Sequence, residues 1–338
     1  MQPFTYTRPA SAAEAVAAHG RAGEGARYIA GGTSLYDLMK LDIDRPRHLI
    51  DVTTIRGLDR IDTSGDRLRF EALAPMSSVA TDPTLQRDYP VLAESLWKAA
   101  SQQLRNMATV GGNLLQRTRC LYFRNGTGNP SAVGAFPCNK REPGSGCAAI
   151  GGLDRGQAVL GTSEACTAVS PGDWPVALVA MDASLELLGP AGARTLPVAD
   201  LYRPPGTTPH LEFTLQPGEL ITAIVVPKTP AGRASTYHKI RDRESYAFAL
   251  ASAAVALELD GDTVSSARIA LGGVATRPWR ATDAEKSLAG QRLTPETALA
   301  AGRAAFSGAT PGHHNRFKLE LGARTVADAL LIAAGRKA

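Results

Sequence analysis

All four cysteines of this 338-residue chain, Cys120, Cys138, Cys147 and Cys166, fall within one 47-residue stretch crowded with chain breakers. Gly126, Gly128, Pro130, Gly134, Pro137, Pro143, Gly144 and Gly146 leave little room there for a long helix or strand. Such a segment cannot make a core by itself and calls for an internal staple. The spacing is C-x17-C-x8-C-x18-C, with no C-x2-C pair, so the usual zinc-ribbon signature is absent. Three staples remain open at this point. Two disulfides would need an oxidising compartment. A zinc ion could take all four thiolates. A four-thiolate iron–sulfur cluster also fits the count.

The rest of the chain reads as an ordinary folded protein. With 44% hydrophobic and 20% charged residues it can bury a core, which excludes wholesale disorder. At roughly 100–200 residues per domain, the length suggests two or three domains. A net charge of +5 is mild for this size, and the basic residues are scattered without interleaved aromatics, which argues against nucleic acid as a partner. No stretch approaches the ~20 apolar residues of a membrane span. The first 20 residues lack a basic region followed by an apolar one, so no export signal of the chain's own is expected.

Two glycine pairs are candidate phosphate cradles. Ile29-Ala30-Gly31-Gly32-Thr33-Ser34-Leu35 reads strand, glycine turn, helix start, and Thr109-Val110-Gly111-Gly112-Asn113 repeats the chemistry of a hydroxyl beside two glycines. Free backbone N–H groups in such turns favour an anion such as a pyrophosphate, and two turns can clamp a dinucleotide from both sides. Gly144-Ser145-Gly146-Cys147-Ala148-Ala149 has the letters G-x-G-x-x-A, but a Pro-rich loop precedes it rather than a strand, so it is no Rossmann fingerprint.

Along the chain, Ser11 with Glu14 forms a capping-box pattern before a helix, and Thr33 or Ser34 caps another. A helix is expected over about 90–104, a helix over 174–181 and a strong strand over 219–227. The tail then changes pattern. Strands are expected near 235–240 and 267–271, and helices near 247–257, 279–288, 295–306 and 319–334. The domain boundary is placed near residue 220. Trp97 and Trp279 are read as packing residues, and His313-His314 as a surface or interface pair.

Taken in order, Ala30-Gly31-Gly32-Thr33, Thr109-Val110-Gly111-Gly112-Asn113, Ser170-Pro171-Gly172-Asp173, Glu219-Leu220-Ile221, Lys239 in its Tyr-His-Lys-Ile setting, and Leu271-Gly272-Gly273-Val274-Ala275 before Arg277-Pro278 resemble the FAD-binding subunit of molybdenum hydroxylases, the xanthine dehydrogenase and aldehyde oxidoreductase superfamily. The resemblance covers nearly the whole chain. It implies an α+β fold: an FAD-binding PCMH-type (vanillyl-alcohol oxidase-like) domain of two α+β subdomains over 1–220, then a CO dehydrogenase flavoprotein C-terminal-like α+β domain over 221–338.

Most members run almost straight from the second glycine motif to the one ending in Asp173. This chain inserts 118–166 there. The insertion, with the segments 103–120, 138–152 and 245–250, resembles the flavoprotein subunit of bacterial periplasmic aldehyde oxidoreductases, which are three-subunit enzymes. By that resemblance Cys120, Cys138, Cys147 and Cys166 hold a [4Fe–4S] cluster, and the partners are a molybdopterin large subunit and a [2Fe–2S] small subunit. Electrons leave to an external acceptor. Residence is periplasmic by co-export with a signal-bearing partner, otherwise cytoplasmic. The alternative is a flavoprotein subunit of the 4-hydroxybenzoyl-CoA reductase type, which also carries a cluster insertion.

The resemblance also assigns roles. Arg27, Tyr28, Ile29, Ala30, Gly31, Gly32, Thr33, Ser34 and Leu35 bind the FAD pyrophosphate, mostly by backbone N–H groups. Thr109, Gly112 and Asn113 hold it from the other side. Asp173 lies at the FAD ribose or adenine end, or else merely caps the helix that follows. Leu220 or Ile221 touches the flavin by backbone or apolar surface. Lys239 is a cation at the cofactor, or else a solvated strand residue. Tyr246 and Phe248 are flavin wall or core. No residue of this chain acts as general base on the aldehyde. Two departures stand out: Ser34 replaces a common Asp, and the 126–136 stretch lengthens the first cysteine gap.

Overall fold

The computed structural model describes residues 1–126 and 136–336. Most of the stretch that lengthens the first cysteine gap therefore lies outside the described residues. Three sheets, each with its own helices, make up the chain. The first is a small parallel sheet of β1 (Thr5–Thr7), β2 (Ala26–Ile29) and β3 (His48–Asp51), in the order β1-β3-β2. Helix Ala12–Ala22 covers it. Ser11 caps that helix by accepting the Glu14 N–H, and the Glu14 carboxylate accepts from the Ala10 N–H, one residue before the expected partner.

The second sheet is antiparallel: β4 (Ile61–Asp62), β5 (Arg67–Glu71), β6 (Ser184–Gly189), β7 (Gly192–Pro197) and β8 (Leu220–Pro227), in the order β4-β5-β8-β6-β7. Because β8 is hydrogen-bonded between β5 and β6, residues 221–227 belong to this sheet. The change of unit therefore comes after Pro227, a few residues beyond the boundary read from the sequence.

The third sheet is also antiparallel, in the order β12-β11-β10-β9: β9 (Ser235–Ile240), β10 (Ala251–Asp260), β11 (Thr263–Gly272) and β12 (Trp279–Arg280). Helix Phe317–Ala334 packs along β10 and β9.

Three expected helices are corrected. The 247–257 segment is no helix: from Ala251 on it is the interior strand β10. Ala253, Val255 and Leu257 face one core while Ala254 and Ala256 face another, so the strand is apolar on both sides. A strand buried on both faces shows no alternation, and its alanines are strong helix formers, so local pattern misleads. The 90–104 segment is two helices, Pro90–Trp97 and Gln102–Met107; the chain turns through Ala100 (φ 50°), and Ser101 caps the second. The 279–288 segment starts as β12, with Trp279 on that short strand, and its helix is Thr282–Leu288. Trp97 is exposed rather than packed, with the Arg105 guanidinium over its ring. Among the described residues no helix is long and apolar enough to cross a membrane.

Candidate cofactor site

The first glycine turn leaves β2 and enters helix Leu35–Lys40. Gly32 sits at φ +71°, which disfavours any side chain. Gly31 is required for a different reason: a Cβ there would lie 1.8 Å from the Met107 carbonyl oxygen. The two glycine motifs are thus locked backbone to backbone. The N–H groups of Gly31 to Leu35 have no acceptor among the described residues, and this stretch is only partly buried. A run of unpaired, reachable donors is an anion nest. The Ser34 hydroxyl, expected as a possible helix cap, makes no cap bond and is buried without a partner.

The second turn uses its donors differently. Val110 N–H and Gly111 N–H bond the carbonyls of Ala74 and Ala72, Gly112 N–H bonds Thr109 Oγ1 at 3.2 Å, and Asn113 N–H bonds the Thr109 carbonyl. The N–H groups of Val110 to Asn113 are therefore all taken, and only that of Thr109, just ahead of helix Val110–Leu114, has no acceptor among the described residues. Asn113 donates to Met76 Sδ, while its Oδ1 is buried and unpaired. Ser34 Oγ and Asn113 Oδ1 are orphans of the kind that an ordered ligand satisfies.

The flanking residues shape this cradle. Arg27 donates to the carbonyl of its own neighbour, Ala26. Tyr28 donates to the Gly218 carbonyl at 2.8 Å, and burial pushes its pKa up to about 12. Leu220 lies in the same apolar cluster as Tyr28 and Ala30, under the turn, and Ile221 faces the neighbouring core. Both side chains are mostly buried in this packing.

Asp173 is the hub of a second constellation. Its carboxylate makes no cap bond to helix Trp174–Ala180, which settles against the capping alternative. It accepts instead from Lys239 Nζ at 2.8 Å and Tyr237 Oη at 2.6 Å; Tyr237 Oη also bonds Ser252 Oγ at 2.8 Å. Lys239 donates further to the Lys98 carbonyl, and its side chain is 1% exposed, so it is no solvated strand residue. Burial, then the Asp173 charge, holds the Tyr237 hydroxyl well above its ordinary pKa, keeping it a donor.

Asp173 also lines a cavity of about 330 Å³ between the cysteine-bearing insertion and the C-terminal unit. Phe248 lines it too, half exposed with the Arg119 guanidinium over its ring, and Tyr246 stands exposed nearby in sequence at φ 51°. Neither aromatic is core.

All four cysteines are free thiols, which removes the disulfide alternative. Cys138 and Cys147 face each other across an isolated antiparallel bridge; Cys120 feels the charge of Cys138, and Cys166 that of Cys147 and Cys120. These pairings link the four in one chain of neighbours: Cys147 to Cys138, Cys138 to Cys120, and Cys166 to both Cys120 and Cys147. Burial pushes the Cys120 thiol up and the Cys166 thiol up to about 11. Gln157 Nε2 donates to Cys120 Sγ and Ala168 N–H to Cys166 Sγ. The loop is braced by Arg141, which donates to the carbonyls of Tyr122, Phe123 and Phe136, and by Asn139, which joins Gly146 to Ala165. Among the described residues no three His, Cys, Asp or Glu side chains converge as they would on one ion. His313 and His314 lie apart from the cysteine set, their N–H groups bound to the Asp154 carboxylate.

The sequence reading missed Tyr237, Gln157, Arg119 and Lys318. Tyr237 stands in the same motif as Lys239 and Arg119 in the 103–120 segment, but without a role there; Gln157 and Lys318 stand in no motif, and only the fold brings the four to Asp173 or the cavity.

Comparison with known proteins agrees with this arrangement. The family described as FAD binding domain in molybdopterin dehydrogenase matches residues 2–229, and that described as CO dehydrogenase flavoprotein C-terminal domain matches 235–333. The chain is 48% identical over 334 residues to the aldehyde oxidoreductase FAD-binding subunit PaoB of Escherichia coli, covering 98% of each. It is 31% identical to the carbon monoxide dehydrogenase medium chain of Afipia carboxidovorans, over 86% of this chain and 81% of that one. Its fold superposes on a chain of carbon monoxide dehydrogenase from Hydrogenophaga pseudoflava with a TM-score of 0.77 at 29% identity, covering 100% and 99% of the two chains. A donor-lined glycine cradle, a buried Asp173 hub and two matched domains in one order all lead to the same place: this chain belongs to the FAD-binding medium subunits of the molybdenum hydroxylase family.

Proposed function

We propose that the chain is the FAD- and [4Fe–4S]-holding electron-transfer subunit of a molybdenum-dependent aldehyde oxidoreductase, working beside a molybdopterin large subunit and a [2Fe–2S] small subunit. The observation that carries the FAD part is the run of unpaired N–H groups from Gly31 to Leu35, locked through Gly31 against the second glycine motif. Those donors would hold the pyrophosphate, with Ser34 Oγ and Asn113 Oδ1 gaining partners. When bound, FAD supplies a group that collects electrons singly and gives them up in pairs. Asp173, held in place by Lys239 and Tyr237, presents a fixed acceptor to the cavity beside the insertion.

The cluster part is supported by the grouping of the four thiols and by the N–H donors aimed at two of their sulfurs. Each cysteine of a [4Fe–4S] cluster binds a different iron, so the sulfurs stand around the cluster rather than converge on one point. That suits thiols that are neighbours without single-ion geometry. A zinc site would need the convergence that is missing among the described residues. The aldehyde part is supported by the 48% identity to a chain that is named as an aldehyde oxidoreductase subunit.

Anaerobic purification of the complex tests the reading. The expected result is one FAD and about four irons attributable to this chain, with absorption between roughly 350 and 500 nm. Replacing Cys138 with Ser removes the iron. Zinc in place of iron, or iron content unchanged in the variant, overturns the cluster part; a colourless chain overturns the whole.

A further inference from the structure

Two buried lysines flank the cavity, and they are not equivalent. Lys239 has the Asp173 carboxylate at 2.8 Å. Lys318 is 1% exposed, lines the cavity itself, and has one hydrogen bond, from Nζ to the Gly273 carbonyl at 2.7 Å. An ammonium carries three donors. No carboxylate among the described residues forms an ion pair with Lys318; the charge it feels is Arg155, of like sign. It is the second residue of helix Phe317–Ala334, at the end where the helix dipole is positive. Burial, with Arg155, brings its pKa down to about 8. Burial, the helix end and Arg155 all oppose a cation here, and among the described residues the Gly273 carbonyl alone favours it.

The surroundings are nonetheless arranged around this group. Gly273 stands at φ +72°, where a Cβ would lie 2.7 Å from the Ala249 carbonyl oxygen, so its own carbonyl is held by a backbone shape that glycine adopts readily. Gln157 Oε1, on the same cavity, is buried without a partner. Phe248 and Leu250 add apolar wall. Asp173, on the cavity too, is already neutralised by Lys239. Arg119, stacked on Phe248, and the Arg155–Asp242 pair complete the lining, so the cavity offers part apolar wall, one acceptor without a partner and one cation without a carboxylate.

We propose that Lys318, not Lys239, is the binding-site cation that recognises the anionic edge of a planar heteroaromatic ring in this cavity. The ring of FAD belongs to that class, so the proposal rests on the FAD reading above. Taking up two electrons and one proton leaves that ring with one negative charge. A buried, fixed cation favours this form over the neutral oxidised one by Coulomb attraction. Lys239 is then a positioning residue that acts through Asp173.

The test uses the complex carrying Lys318→Met and Lys318→Arg, with FAD occupancy measured first, then reduction by dithionite against redox dyes, then melting of the FAD-free protein. Lys318→Met is expected to keep oxidised FAD but to lose at least tenfold of its preference for the reduced form, which is a potential ~30 mV lower for a two-electron couple. Lys318→Arg restores most of it. Without FAD, Lys318→Met melts no lower than the wild type, because the one hydrogen bond lost, to the Gly273 carbonyl, is offset by no longer burying a cation that lacks a carboxylate. A preference within twofold of the wild type overturns the proposal. So does a variant that melts well below the wild type without FAD, since that marks a structural lysine. A wild-type complex that never takes up FAD overturns this proposal and the FAD reading together, whereas bound FAD with an unmoved preference sinks Lys318 alone.

Discussion

At residues 29–35 and 109–113 the chain sets hydroxyl residues beside two consecutive glycines, yet the amides of 31–35 have no acceptor among the described residues while those of 110–113 are taken up by Ala72, Ala74 and Thr109. The difference does not lie in the glycines. Gly111 N–H bonds the Ala72 carbonyl, and the turn rests so closely on that residue that a Cβ on Gly111 would lie 2.7 Å from Ala72 Cβ. The first turn meets the Met107 carbonyl through Gly31 alone and leaves its donors outward. One turn is a ligand cradle; the other is the buttress that holds it. An amide's availability depends on which acceptor the fold brings near it.

This contrast can be broken most forcefully at its point of contact. Gly31→Ala drives a methyl into the Met107 carbonyl, and neither backbone can yield without moving a turn. The FAD-free chain should lose more than ~3 kcal/mol in urea melts, with FAD uptake abolished. A well-folded variant with wild-type FAD content would show that the two turns are not locked.

Asp173→Asn tests the hub next to the cradle. It leaves Lys239 as a buried cation without its carboxylate, which should cost about 3–5 kcal/mol. Lys239→Met alone should lose a similar amount, and the pair changed together should recover part of it. Simple addition of the two losses in a double-mutant cycle would deny the coupling.

Smaller effects separate the two turns from each other. Thr109→Ala removes the cap on the Gly112 N–H and should cost about 1 kcal/mol in the FAD-free chain, with weaker FAD binding following from the softened buttress. Ser34→Ala should do the reverse. Its hydroxyl has no partner among the described residues, so FAD-free stability should change by less than about 0.5 kcal/mol, while FAD affinity falls severalfold in a fluorescence titration. If Ser34→Ala destabilises the FAD-free chain more than Thr109→Ala does, the cradle and buttress roles are exchanged.

Much of the molecule could be read locally. The Ser11 cap, the helices over 295–304 and 317–334, and the strands at 220–227 and 235–240 follow from capping residues, helix formers and β-branched runs close together in the chain. β10 could not be read this way, because its alanines are dictated by helices packed close on both faces. Asp173 could not be assigned either: its position before a helix suggests a cap, but Lys239 and Tyr237, more than sixty residues away, claim its carboxylate. The sequence points to Lys239 as a cation at the cofactor because that residue stands in a motif; Lys318, which lines the cavity, stands in none.

By itself the sequence determined the kinds of chemistry available: glycines at Gly31 and Gly32 where side chains would clash or strain the backbone, four thiols confined to one breaker-rich insertion, and an order of motifs shared with a flavoprotein family. These are properties of neighbouring residues or of residue order. Only the tertiary structure decided which amides stay unpaired, which lysine meets a carboxylate and which does not, and that the insertion, Asp173 and the C-terminal unit enclose one cavity. Pairing and burial are set by groups far apart in the chain, and a charge or an amide becomes functional only through what it is left without.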